Sequence, residues 1–342
     1  TGGSRTPRLK NEGFVTADGR PLALPVEPVP KAPASVFTLD YYPVLDAADW
    51  DGDGRLDLLA GGFITGRVYR FAATGEDPDG TPRLESRGPL EADGKPLNVG
   101  DWAAAPCAAD LDGDGDLDLV CGNMPMTAGG GDSSDREHFL RYYENLGGPT
   151  APRLSERPFP REGTFPNAAL GTPRAADLNG DGLLDLAVSA GENVYLYLNV
   201  GTRTRPRFAA HDRPLPGVWG SLPLPVAGLQ FLDWDGDGTR DLLSGLTVFR
   251  GRSGEPGTFA PVPLLRPDNP IEHPSPRGDA YSFTQVADMD RDGRPDLLWG
   301  THEGNVWLHR NLGETPPRFD PKGERLATDD GRPIRVGPEP GR

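Results

Sequence analysis

One nine-residue phrase occurs five times in this chain. It reads DWDGDGRLD at residues 49–57, DLDGDGDLD at 110–118, DLNGDGLLD at 177–185, DWDGDGTRD at 233–241 and DMDRDGRPD at 288–296. Carboxylates hold positions 1, 3, 5 and 9, with Asn179 the one replacement, and glycine always holds position 6. Oxygen ligands at alternate positions, on a loop turned sharply by glycine, are how calcium loops surround a hard cation that takes six to eight oxygens. Asp at position 9 ends this loop, so no Glu at position 12 is needed. The predicted ligands are Asp49, Asp51, Asp53 and Asp57; Asp110, Asp112, Asp114 and Asp118; Asp177, Asn179, Asp181 and Asp185; Asp233, Asp235, Asp237 and Asp241; and Asp288, Asp290, Asp292 and Asp296. A merely solvated acidic turn would not keep its glycine in place through five copies. About five structural Ca²⁺ ions are expected. Repeat three, with one charge fewer, and repeat five, with Arg291 and Pro295 inside the loop, should hold them least well.

From first Asp to first Asp the steps are 61, 67, 56 and 55 residues. Periods of this length belong to solenoids, propellers and arrays. An apolar run follows each loop: LDLLAGGF from Leu56, LDLVCG from Leu117, LDLAVSAG from Leu184, DLLSGL from Asp241 and DLLWG from Asp296. A second, alternating run comes next, as in GRVYRF at Gly66, ENVYLYLN at Glu192 and GNVWLHRN at Gly304. Alternation over short runs bounded by Gly and Asn predicts half-buried strands. A third element opens on Pro-Arg at residues 82, 152, 206 and 317, and a run before each loop, such as YYPVLDAAD from Tyr41, supplies the fourth. Four short strands per repeat of about 60 residues predict the blade of an all-β propeller. Five blades are read, with six or seven the alternative. Segments 6–25 and 316–336 resemble one another and are expected to close the ring within a single domain spanning residues 1–342.

These residues resemble the FG-GAP or VCBS repeat propellers, the architecture of integrin alpha-subunit heads, certain fungal lectins and several bacterial polysaccharide lyases. The D-x-D-x-D-G-x-x-D-L-L signature, followed by G-x-V-x-x-Y-x-N, carries the resemblance over nearly the whole chain. It implies a fold and a calcium loop in each blade. It does not imply an activity, because one fold hosts many functions.

The net charge is −16, from 51 acids and 35 bases. Twenty of the acids lie in the five loops, so five divalent ions would bring the charge to about −6. The acidity is therefore a metal signature, and without a basic stripe nucleic acid is not expected as a partner. Gly 46 and Pro 38 make up about a quarter of the chain, a share typical of disorder, but here they punctuate periodic strands. No apolar run is long enough to span a bilayer. Calcium sites of modest affinity fill outside cells, so an extracellular or periplasmic protein is expected. Cys107 and Cys121 stand three residues either side of the second loop, where a disulfide or two buried thiols are both expected readings.

Ligand specificity is expected on the rim away from the loops, where the repeats differ. The second repeat carries an insertion from Asn123 to Tyr143. Tyr42, Trp102, Arg141, Tyr281 and Glu303 are the predicted substrate-binding residues, because flat aromatic faces suit sugar rings while polar groups bond their edges. Packing between blades is the competing role for each aromatic. If the protein is an enzyme, the resemblance implies a polysaccharide lyase. β-Elimination needs a base, an acid and a group that neutralises the uronate carboxylate. His138 or His302 would be the base, with His273 the further candidate; Tyr143, Tyr42 or Tyr281 the acid; and Arg136, Arg141 or Arg277 the neutralising group. The alternative is a non-catalytic lectin-like or protein-interaction module. Arg277-Gly278-Asp279 is the tripeptide integrins recognise, a match expected by chance in a chain rich in these residues. The favoured reading is a secreted, calcium-stabilised propeller that recognises extracellular polysaccharide.

Overall fold

A computed structural model describes residues 44–62, 65–76, 82–100, 104–123, 140–163, 171–190, 193–210, 215–216, 229–245, 247–252, 255–263, 282–287, 292–301, 306–314 and 317–325. Among these every regular element is a strand, and no helix is long and apolar enough to cross a membrane. The strands form five antiparallel sheets, each the blade of a β-propeller. The first contains Val44–Ala48, Asp57–Gly61, Val68–Glu76 and Pro82–Pro89, hydrogen-bonded in chain order. The second contains Ala105–Ala109, Asp118–Gly122, Leu140–Asn145 and Leu154–Arg157. The third contains Thr172–Ala176, Asp185–Ala190, Asn193–Asn199 and Phe208–Ala210. Leu229–Leu232, Asp241–Ser244, Thr247–Arg252 and Glu255–Pro263 form the fourth, and Ser282–Ala287, Asp296–Thr301, Val306–His309 and Glu324–Arg325 the fifth.

Two sheets gain outer strands from the segment that leads into them. The hairpin of Glu91–Ala92 and Lys95–Pro96 lies parallel to Leu154–Arg157, and Arg161–Glu162 lies parallel to Phe208–Ala210. The Pro-Arg rule fails in the fifth sheet. There Phe319 makes one isolated bridge to Asn311, and Glu324–Arg325 is the outer strand. The bulk of sheets one to three forms one compact unit, and sheets four and five belong to a second. Segment 6–25 and residues 326–336 of the other end segment lie outside the described residues.

Alternation along the strands sends successive side chains to opposite neighbours. Leu59, Leu119, Cys121 and Tyr143 pack with Trp50 and Leu154 in the layer joining sheets one and two. Val120, Tyr142, Leu186, Val188, Tyr197 and Phe208 fill the layer joining sheets two and three. Trp234, Leu243, Val248, Leu297, Trp299 and Phe319 do the same for sheets four and five. This pleat decides the cysteine question. Cys107 pairs with Val120, not with Cys121, so the two thiols leave the sheet on opposite faces and no disulfide joins them. Burial pushes the Cys107 thiol up to about 12.

Neighbouring first strands are latched by side chains three residues before the first, third and fourth loops. Asp46 accepts the Ala108 N–H at 2.7 Å, while Arg174 donates to the carbonyls of Pro106 and Leu45 at 3.2 and 2.9 Å. In the other unit Gln230 bonds both backbone groups of Val286, at 3.0 and 2.9 Å. Burial pushes the Asp46 carboxyl up, and the Arg174 charge opposes that rise.

Candidate metal centre

Each acidic loop joins the first and second strands of its sheet, and its ends meet on one rung. Ala48 pairs with Asp57, Ala109 with Asp118, Ala176 with Asp185, Leu232 with Asp241 and Ala287 with Asp296. Between these rungs glycine supplies the left-handed conformations that a side chain would strain. The glycine at position 6 has φ from 80° to 97° in all five loops, and in loops one to four the glycine at position 4 has φ from 67° to 79°.

The carboxylates organise the turn themselves. The position 1 aspartate accepts loop amides: Asp49 from Asp53 and Gly54 at 2.9 Å, Asp177 from Gly180 and Gly182, and Asp233 from Gly236, Asp237 and Gly238. The position 5 aspartate accepts the amide two residues on, at 2.9, 3.1, 2.8, 2.7 and 2.9 Å in loops one to five. These bonds turn the first, third and fifth side chains toward one another. Asp49, Asp51 and Asp53, then Asp110, Asp112 and Asp114, then Asp233, Asp235 and Asp237 each bring three carboxylate oxygens within 4.8 Å.

The donor set fits a hard divalent cation. Asp51 Oδ1, Asp110 Oδ1, Asp116 Oδ1 and Asp235 Oδ1 are buried without a hydrogen-bond partner, and Asp116 as a residue is 5% exposed. Oxygens that accept nothing and crowd like charges are costly unless a cation meets them. Burial, then the charge of Asp114, lifts the Asp116 carboxyl to about 6, and burial lifts Asp118 to about 7 and Asp185 to about 6. A bound ion's own charge would reverse those shifts.

Position 9 has a role the sequence did not reveal. Its Oδ1 accepts an amide on or just past the third strand in every sheet: Ala73 to Asp57 at 2.8 Å, Asn145 to Asp118 at 2.9 Å, Asn199 to Asp185 at 2.7 Å, Gly251 to Asp241 at 2.7 Å and Asn311 to Asp296 at 2.8 Å. These five carboxylates are all at most 1% exposed. Three of the amide donors are asparagines whose own Oδ1 accepts the amide of the glycine two residues on, at 3.0 Å. The recurring Asn-x-Gly after the third strand was the signal for this turn.

The other predicted residues divide sharply. Asp288, Asp290, His138, His302, Arg136, Tyr42, Trp102, Tyr281 and Glu303 lie outside the described residues, as do His273 and Arg277. Arg141 stands on the third strand of the second sheet and pairs with Glu156 at 3.2 Å. Tyr143 is 1% exposed inside the layer joining sheets one and two. That places its phenol in the core and not on the rim where a catalytic acid was expected. His309 is likewise interior, with Nδ1 at 2.9 Å from the Asp320 carbonyl and burial lowering its pKa.

Five blades with an aspartate-rich loop between their first and second strands define a β-propeller built around turns whose carboxylates could hold a metal ion. Residues 49–121, 177–244 and 233–299 match the FG-GAP-like repeat, together more than half of the chain, which belongs to that family. No curated protein matches it. Among solved structures it is similar to an Agrocybe aegerita lectin described as recognising non-reducing terminal N-acetylglucosamine, at 18% identity and a TM-score of 0.48 over 84% of this chain and 67% of that one. It is also similar to the V. cholerae biofilm matrix protein Bap1, at 18% identity and a TM-score of 0.35, over 81% of this chain and 38% of that one. A chain of the TcdB2-TccC3-Cdc42 structure matches at 17% identity and a TM-score of 0.30, over 80% of this chain and 15% of that one.

Proposed function

We propose that this protein is a calcium-binding β-propeller of the extracellular or periplasmic space that recognises polysaccharide. The observation that carries the calcium reading is the triple recurrence of three aspartate oxygens within 4.8 Å, with buried oxygens beside them that have no partner. Asp49, Asp51, Asp53 and their counterparts would hold the ions, which supply positive charge and tie the two strand ends of each blade together. Millimolar calcium outside cells suits loops of this kind. The glycan reading rests on the sequence variation expected at the rim: residues 124–139 of the insertion and the aromatics Tyr42, Trp102 and Tyr281, all outside the described residues.

The test is a panel of neutral and uronate polysaccharides presented to the calcium-loaded protein, with binding and ultraviolet absorbance followed together. Retention on one glycan class without new absorbance supports a recognition module. Growth of the unsaturated-uronate band on one substrate makes it a lyase, with His138 and His302 the first residues to replace. Neither binding nor turnover across the panel refutes the polysaccharide reading.

A further inference from the structure

The five loops share a phrase but not a counter-charge. In the first sheet Arg70, on the third strand, donates from Nε to Asp57 Oδ2 at 2.8 Å. Its Nη2 lies 2.7 Å from the same carboxylate and also pairs with Asp51. This side chain is 14% exposed, so the guanidinium is well inside the loop's base. Arg55 pairs with Asp53 in the same loop. In the fourth loop Arg250 pairs with Asp235.

The second loop is built differently at the equivalent place. Arg70 pairs across the sheet with Leu59, two residues after Asp57, and Tyr142 pairs with Val120, two residues after Asp118. Tyr142 therefore holds Arg70's position and donates a neutral O–H to Asp118 Oδ2 at 3.2 Å. Among the described residues no arginine or lysine is ion-paired to Asp110, Asp112, Asp114 or Asp116.

We infer that Arg70 is a built-in counter-cation of the first loop, which sets a lower divalent-ion affinity there than at the second loop. The inference rests on the calcium reading above. An ion at the first loop must share Asp51 and Asp57 with a fixed positive charge and is repelled by it at short range. An ion at the second loop meets five aspartates, none of them ion-paired to a guanidinium among the described residues; Arg203 lies against the Gly113 backbone there without pairing to a loop carboxylate. Ligand identity alone ranks repeats three and five as weakest; the guanidinium groups of Arg70 and Arg250 add repeats one and four to the weak set.

The chain carries its own reporter. Position 2 is tryptophan in loops one and four, Trp50 and Trp234, and leucine or methionine in the others. Terbium, which takes calcium's oxygen ligands, emits when excited through an adjacent indole. In the full chain with Trp234→Phe, emission that is lost on Trp50→Phe reports the first loop. Arg70→Met removes the charge and keeps the aliphatic stem. It should move the terbium midpoint, and the midpoint of calcium uptake measured separately by equilibrium dialysis, at least about tenfold lower. Arg87→Met, the same charge change at the exposed Arg87–Glu85 pair of that sheet, should leave both midpoints in place. If Arg70→Met does not fold, Tyr142→Arg makes the converse test and should abolish the tightest step of a calcium titration. Unchanged midpoints in Arg70→Met, or an unchanged tight step in Tyr142→Arg, overturn the inference while the calcium reading stands. A protein that takes up neither ion in equilibrium dialysis overturns both.

Discussion

At the scale of single residues, the ninth aspartate of each phrase joins its acidic loop to its sheet. Asp185 is fully buried, and its oxygens accept the amides of Asn199 at 2.7 Å and Leu178 at 2.8 Å. Alanine there would leave two buried N–H groups without acceptors, at about 1–3 kcal/mol each. Asp185→Ala should therefore lower unfolding stability by about 2–6 kcal/mol in urea titrations, with or without calcium. Asp185→Asn, which keeps one acceptor, should lose about half as much. A loss seen only in the presence of calcium would mean that the residue acts purely as a ligand. Spacing identified this residue as an oxygen donor but could not show what it accepts, because its partners lie 7 residues back at the start of the same loop and 14 residues on along another strand. Arg70 was hidden for the same reason: its bond to Asp57 depends on cross-strand register, not on the phrase.

At the scale of elements, the apolar run after each loop ends on glycine four residues past the ninth aspartate in repeats one, two, four and five. A side chain at Gly122 would place its Cβ 1.6 Å from the Gly171 carbonyl oxygen, and one at Gly61 would lie 1.9 Å from that of Ala104. The next blade's leading segment passes directly over these positions. Gly122→Ala must push that backbone away and should cost about 3 kcal/mol or more. Gly182→Asn, in open space at φ 84°, should stay within about 1 kcal/mol, since Asn tolerates the left-handed region. Equal thermal melting shifts for the two variants would sink this account. The strand order within a blade was legible from periodicity and from the position of the loops. The added outer strands and the irregular fifth outer strand were not, since two-residue pairings leave no period. The opposite orientation of Cys107 and Cys121 was likewise invisible without the register.

At the scale of the whole molecule, twenty loop aspartates in a chain of net charge −16 lead us to propose that stability depends on cations. Anything that binds only the folded state stabilises it by mass action, about 2.7 kcal/mol per site at a hundredfold excess over Kd. Chelation should lower the melting temperature, and calcium should restore it in a concentration-dependent way. Added monovalent salt should recover part of the loss by screening. A melting temperature indifferent to chelator would contradict the structural role of these loops. The repeated framework was readable because five copies average out chance. The recognition surface was not, because its residues differ from blade to blade and no second copy confirms any of them.

The shared rung at the base of every loop has one more consequence. Since the residue before the phrase always faces its ninth aspartate, each loop enters and leaves its sheet at the same height. The loops are thus interchangeable cassettes between constant sockets. Exchange of one repeat for another can alter the carboxylates that a blade presents without shifting a strand, so the acidic loops can be changed one blade at a time.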